Sequence, residues 1–289
     1  MAAILPQVPT MLKCKGIIAL DLDGTLLNSN KELSSGNLVA LERAAAAGFE
    51  IVPTTGRFYG GMPKVIRDLP FVNYAITING AEVANLRTGE IIYKAEIPVQ
   101  QAIEIMTLLD GYPVIYDCYQ VNDAFMTASL KELVNETVSS PHYIKMIHEL
   151  RKPVPELKAF LAERGLDVQK VQFFTKYPEL RLQMMRELPI RFENLSVSSS
   201  VSDNVEINQI HANKGEALLA LATYLGVDCN QTFAFGDGLN DLPMLEQAGV
   251  GVAMANACEE ALKIANWVAP SCDEDGVAAG IAKFCFGEA

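Results

Sequence analysis

Residues 18–28 read IALDLDGTLLN, with Asp21 and Asp23 one residue apart at the end of an apolar run and Gly24-Thr25 following. Period-two alternation puts both carboxylates on one side of a continuing strand and Leu22 opposite. Like charges that close repel, and burying either one unpaired is costly. A third acid, Asp237, ends another apolar run in FAFGDGLND (233–241), close to Asn240 and Asp241. Three acids from two strand ends repel one another unless a divalent cation sits among them. Oxygen ligands with no His or Cys nearby favour a hard ion, Mg2+ above all. Such an ion, surrounded by Thr, Lys and Asn donors, is an anion trap, and phosphate is the obvious anion.

The donors stand where an open parallel sheet would place them, outside the carboxyl ends of strands. IVPTTGR ends in Thr54, Thr55, Gly56 and Arg57; AITING ends in Asn79-Gly80; and Lys214 opens NKGEALLALATYLG. The elements between them alternate. GIIALD, FEIVPTTG and NYAITING read as buried strands, and LSSGNLVALERAAAAG as a helix capped by Ser34 or Ser35 and ended at Gly48. RFYGGMPKVIRDLP also reads as helix-like. The resulting βαβαβ pattern predicts a parallel sheet with right-handed crossovers. From about residue 90 to 206 short strands and helices mix, with Tyr, Asn and Ser frequent, which predicts an α+β insert. After residue 210 the α/β rhythm returns. The expected fold is thus a Rossmann-like α/β core over 1–90 and 207–289, interrupted by an α+β domain over 91–206.

Half of the 289 residues are apolar, enough for a sizeable core, and the formal net charge is −12. That balance argues against a nucleic-acid or anionic-membrane surface, and an anionic substrate would need a local positive site. No run of 18 apolar residues exists, so no transmembrane helix is expected. MAAILPQVPTMLKCK reads as a short extension, since prolines interrupt it and it lacks a basic start. Six scattered cysteines with no CxxC pair fit reduced thiols in a cytoplasm.

In this order DLDGTLL, TTGR, NKG and GDGLNDLPML resemble the four motifs of the haloacid dehalogenase-like phosphatases. The TGR form, the NG after the third strand and the terminal DGVA are similar to the Cof-type branch, whose insert is a C2-type cap. The resemblance implies a phosphoric monoester hydrolase acting on small phosphorylated metabolites. Asp21 would be the nucleophile, forming an aspartyl-phosphate, and Asp23 the general acid and base. That role asks for a raised Asp23 pKa. Mg2+ would be held by Asp21, the Asp23 carbonyl and Asp237, with Asp241 as a further ligand or an orienting group. Thr55, Gly56, Lys214, Asn240 and the Leu22 amide would hold phosphate oxygens.

Several residues admit a plainer reading. Thr54 reads as structural, Arg57 as a helix start or a carboxylate's partner, and Asn79-Gly80 as a turn or a substrate contact. His142, His148 and His211 read as surface or structural groups, and Met184-Met185 as core. Tyr116 and Asp117 could face a substrate. Two competing functions share the same acids. A receiver-like phospho-acceptor module is a single short domain with no such insert, and a phosphomutase typically has a helical cap directly after the first motif.

Overall fold

A computed structural model describes residues 14–288. The expected N-terminal extension, apart from Cys14 and Lys15, lies outside the described residues. Strand β1 (Gly16–Leu20) is buried at every position and runs parallel to β2 (Phe49–Pro53). The helix Ser35–Ala46 joins them, and the Ser34 hydroxyl caps it by accepting from the Asn37 amide. β3 (Tyr74–Thr77) meets β2 through one parallel bridge, Thr54 to Ile76. It then pairs antiparallel with β4 (Glu82–Asn85), which pairs with β5 (Ile91–Lys94).

The helix expected over RFYGGMPKVIRDLP does not form along its length. A 3-10 turn at Tyr59–Gly61 and a single turn at Lys64–Arg67 replace it. Gly60-Gly61 favour an irregular backbone, and Pro63 lacks the amide that a continuing helix would use.

Six strands then make a separate sheet: β6 (Ile115–Gln120), β7 (Asp123–Thr127), β8 (Arg151–Val154), β9 (Lys170–Phe174), β10 (Leu195–Ser198) and β11 (Asn204–Gln209). Their order is β10-β11-β9-β6-β7-β8. One face is apolar, with Tyr116, Cys118, Val171, Phe173, Val205 and Ile207 packed in one cluster with the helices Val99–Leu109, Leu157–Arg164 and Pro178–Arg191. Alternation turns the polar neighbours of those residues, among them Tyr119, Lys170, Gln172 and Glu206, to the other face. β5, although numbered inside 91–206, belongs to the sheet of β3 and β4, and β11 runs on past 206 to Gln209.

β12 (Thr232–Gly236), β13 (Val250–Met254) and the unexpected β14 (Trp267–Ala269) complete a parallel sheet ordered β14-β13-β12-β1-β2. Both faces of β1 are covered, as a parallel sheet requires. Ile18 and Leu20 pack in one cluster with the helices Ser35–Ala46 and Gly276–Phe286, Ile17 and Ala19 in another with the helix Lys214–Leu225. The acid-bearing ends of β1 and β12 therefore lie side by side at the centre of the sheet.

Gly80 closes the β3 turn with φ +98°, and a Cβ there would overlap the Asn213 backbone at the start of the helix Lys214–Leu225. Gly80→Ala is expected to lower the unfolding free energy by about 2 kcal/mol. Equilibrium denaturation would read this as a lower midpoint at constant slope. An unchanged midpoint would show that this packing is not constraining.

Candidate active site

Asp21 follows β1 directly and is nearly buried. The Lys214 ammonium, wholly buried, donates to Asp21 Oδ1 at 2.6 Å and to Asp241 Oδ1 at 2.5 Å. Asn213 caps the helix that Lys214 begins by accepting from the Glu216 amide. A cation at a helix N-terminus opposes the helix dipole, and here two carboxylates offset that conflict. They also hold the lysine's pKa above its ordinary value against the effect of burial. The other Asp241 oxygen accepts from the amides of Asp237 and Gly238, each at 2.9 Å. Asp237 accepts from the Thr25 hydroxyl at 3.1 Å. Gly24, with φ +97°, lets the β1 loop approach closely, since a Cβ would run into the Asp237 carboxylate.

Carboxylate oxygens of Asp21, Asp237 and Asp241 lie within 4.8 Å of one another. One lysine cannot balance three such charges. Burial, followed by the charges of Asp241 and Asp237, pushes Asp21 up to about 8 despite Lys214. Burial and then Asp241 push Asp237 up to about 6. This cluster of oxygen donors, proton-hungry for want of positive charge, fits a hard divalent cation such as Mg2+.

A linked stability effect follows. Below these raised values the folded protein holds protons that the unfolded chain has already released. Stability of the metal-free protein should therefore fall as pH rises from the ordinary carboxylate range toward 8. Melting temperatures in EDTA between pH 5 and 8 should show this fall, and Mg2+ should raise the melting temperature most at pH 8. A gain from Mg2+ equal at both ends would contradict the charge assignment.

Asp23 sits differently. Arg57 grips it with both prongs, Nε to Oδ2 at 2.8 Å and Nη2 to Oδ1 at 2.9 Å, and Lys31 approaches Oδ1 at 3.1 Å. Burial alone would raise this carboxyl, but Arg57 and then Lys31 outweigh it and hold it below its ordinary value. The expectation of a raised Asp23 pKa is thus reversed in this arrangement, because a bidentate guanidinium favours the ionised form.

A cavity of about 1080 Å³ separates the parallel sheet from the polar face of the six-stranded sheet. Asp21, Asp23, Thr55, Gly56, Asp237 and Asn240 line it. The Leu22 side chain is in the core, as its place opposite the two aspartates predicts, and Lys214 and Asp241 lie behind Asp21, engaged with each other. Thr55 Oγ1 accepts from the Arg57 amide at 3.2 Å, whereas Thr54 is fully buried and bonded to the Val52 carbonyl, a structural position as expected.

Asn79, held in the left-handed region with φ 58°, joins the two sheets. Its Oδ1 accepts from Asn240 at 3.2 Å, and its Nδ2 donates to Glu206 Oε2 on β11 at 2.9 Å. Glu206 in turn faces Lys170 of β9 at 3.5 Å.

Of the weaker candidates, Tyr116 faces away, donating to Asp110, and Asp117 pairs with Arg151 at 3.0 Å. His148 and His211 are exposed beside Asn135 and Glu216, and the His142 side chain lies outside the described residues. Met184 is core, but Met185 lines the cavity. The structure adds Thr25, Lys31 and Glu206 to the residues around the cavity. Thr25 stands inside DLDGTLL and was legible there; the other two carry no local motif.

Among the described residues no helix is long and apolar enough to cross a membrane. The family model for haloacid dehalogenase-like hydrolases matches residues 18–281. Phosphatase YwpJ of Bacillus subtilis is 31% identical, over 91% of this chain and 97% of its own. Pyridoxal phosphate phosphatase YbhA of Escherichia coli is 29% identical, over 91% and 96%. A solved haloacid dehalogenase-like hydrolase from B. subtilis superposes with a TM-score of 0.80 at 29% identity, covering 93% of this chain and 99% of that one. The match runs through the sheet ends that bear Asp21, Thr55 and Asp237 and through the insert between them, and the chain belongs to the haloacid dehalogenase-like hydrolase family.

Proposed function

We propose that this phosphatase hydrolyses small phosphorylated metabolites, sugar phosphates or similar monoesters, with Mg2+ and through an aspartyl-phosphate on Asp21. The observation that carries the reading is the buried Asp21, backed by Lys214 and flanked by Asp237, at the floor of a cavity large enough for a phosphorylated metabolite. The relative YbhA, named for pyridoxal phosphate, supports a leaving group of that size.

Lys214 occupies Asp21 Oδ1, which leaves Oδ2 to attack phosphorus. The phosphorus–oxygen bond to the leaving group breaks as Asp23 gives that oxygen a proton. Asp23 then takes a proton from water, the water oxygen attacks phosphorus, and inorganic phosphate departs with Asp21 restored. Thr55, the Gly56 amide and Asn240 line the cavity where phosphate oxygens would lie. Lys214 acts from behind, through Asp21 and Asp241, and Asp241 serves as the brace for Lys214 and the Asp237 loop. Asp21, Asp237 and the Asp23 carbonyl would hold Mg2+, which when bound would neutralise the acids and the transferring phosphoryl group.

Asp23 must be protonated to serve as the acid. A phosphate dianion competes for Arg57 and adds negative charge beside Asp23, and both effects raise its pKa. The insert expected over 91–206 is the cap in this reading. The pairing of β5 with β4 supports connections to the core at 95–98 and 210–213 in this reading.

Asp21→Asn is expected to lower turnover of an aryl phosphate by about 10³-fold or more. EDTA should abolish it and Mg2+ restore it. Turnover persisting in either case would remove the nucleophile or the metal. Arg57→Met frees Asp23 from its clamp in the free enzyme, so the alkaline limb of kcat/KM should move to higher pH. A limb that stays put would dissociate Asp23 from the proton transfer.

A further inference from the structure

The charges on the cavity wall are unevenly matched. Arg57 and Lys31 meet Asp23, Arg151 meets Asp117, and Lys170 meets Glu206. Arg181, which also lines the cavity, pairs with no carboxylate among the described residues. It stands in the first turn of the helix Pro178–Arg191, and its Nη1 donates to Ser199 Oγ at 2.9 Å. Ser199 is itself fixed, donating to the Val201 carbonyl at 2.8 Å. The guanidinium is thus anchored through one nitrogen, while its buried Nε has no partner and its Nη2 makes no hydrogen bond among the described residues.

An arginine held in place with part of its fork unused suits an anion with more than one acceptor oxygen, a carboxylate or a phosphate. Arg181 stands on a different element from the groups proposed to hold the reacting phosphate. Asp21 belongs to the parallel sheet, whereas Arg181 and Ser199 belong to the cap helix and the β10–β11 turn. Arg181 and Asp21 line the same cavity from these different elements, so an anion at Arg181 would be one carried by the leaving group. In a chain of net charge −12, this unpaired cation is a local exception to the overall field.

We infer that the substrate carries a second anionic group, a carboxylate or a second phosphate, remote from the phosphate removed, and that Arg181 determines the preference for it. The inference rests on the phosphatase reading above and deepens it.

The test compares substrates that differ only at the distal end. 6-Phosphogluconate is set against glucitol 6-phosphate for a carboxylate, and mannitol 1,6-bisphosphate against mannitol 1-phosphate for a phosphate. The ratio of kcat/KM, anionic over neutral, should be roughly tenfold or more in at least one pair. Arg181→Gln should bring that ratio down to about two or less, and Arg181→Lys should keep part of it. Because the readout is a ratio within each variant, a general loss of folded protein does not imitate it. A wild-type ratio near one in both pairs, or a ratio that Arg181→Gln leaves unchanged, would overturn the inference. Calorimetric binding of the same pairs to Asp21→Asn repeats the comparison without turnover. Failure of the parent reading looks different: aryl phosphate is then not hydrolysed with Mg2+, whatever the binding ratios are.

Discussion

The cavity floor depends on one buried ammonium. Lys214 lies between Asp21 from β1 and Asp241 from the loop after β12, and it reaches neither solvent nor the cavity wall. Strand ends that are distant in sequence are joined there by charge. Asp241 passes the constraint on, since its second oxygen gathers the amides of Asp237 and Gly238 and so shapes the loop that aims Asp237. A lysine in this position costs desolvation and opposes its own helix dipole. Both costs are recovered only with the two carboxylates in place. The arrangement still leaves the floor short of positive charge, and that shortage favours a divalent cation.

The cap meets the core through exchanged amide–carboxylate contacts. Glu206 of the six-stranded sheet accepts from Asn79 of the core turn, and Glu82 on β4 accepts from Gln169 at 2.7 Å and from Asn122. A small apolar cluster adds Phe58 edge-on to Tyr119, with ring centroids 5.3 Å apart. Groups of the first kind can be satisfied by water when the surfaces part, so separating them costs less than opening an apolar seam. That suits the cap of the proposed mechanism, which would part to admit substrate. Asn79 also touches Asn240, so the position of the six-stranded sheet and that of a side chain proposed to face phosphate are linked through one amide.

Chemistry was legible in the sequence wherever a buried strand ended in a charge. An apolar run such as GIIAL has no local reason to stop at two aspartates, and the same holds for TFAFG before Asp237. The helix Ser35–Ala46 was legible from its cap and its terminal glycine. The failures have equally local causes. Residues 57–70 show apolar spacing, but Gly60, Gly61 and Pro63 prevent a continuous helix. β14 is three residues long, too short to show a period. The cap's polar face is visible as alternation within β6, β9 and β11, but the Lys170–Glu206 pair exists only because β9 and β11 are neighbours in the sheet. No spacing announces a contact made by sheet register.

Register also resolves the two aspartates of DLDG. They sit at one strand end with only Leu22 between them, and their pKa values are shifted in opposite directions. Burial pushes both up, Asp21 the more deeply buried, and what other segments bring to each then sends them apart. Asp21 faces Asp237 and Asp241 with one lysine to share, and Asp23 faces Arg57 and Lys31 alone. A cation on the Asp21 side and a phosphate on the Asp23 side would each invert the local balance: the first lets Asp21 ionise, the second draws Arg57 off Asp23 and lets it take a proton. Without either species, these opposite shifts favour a proton on Asp21 over one on Asp23, the reverse of what the proposed catalysis needs. The two species that correct it are the metal and the substrate, so in the proposed mechanism the reactive protonation state is assembled only when both are bound.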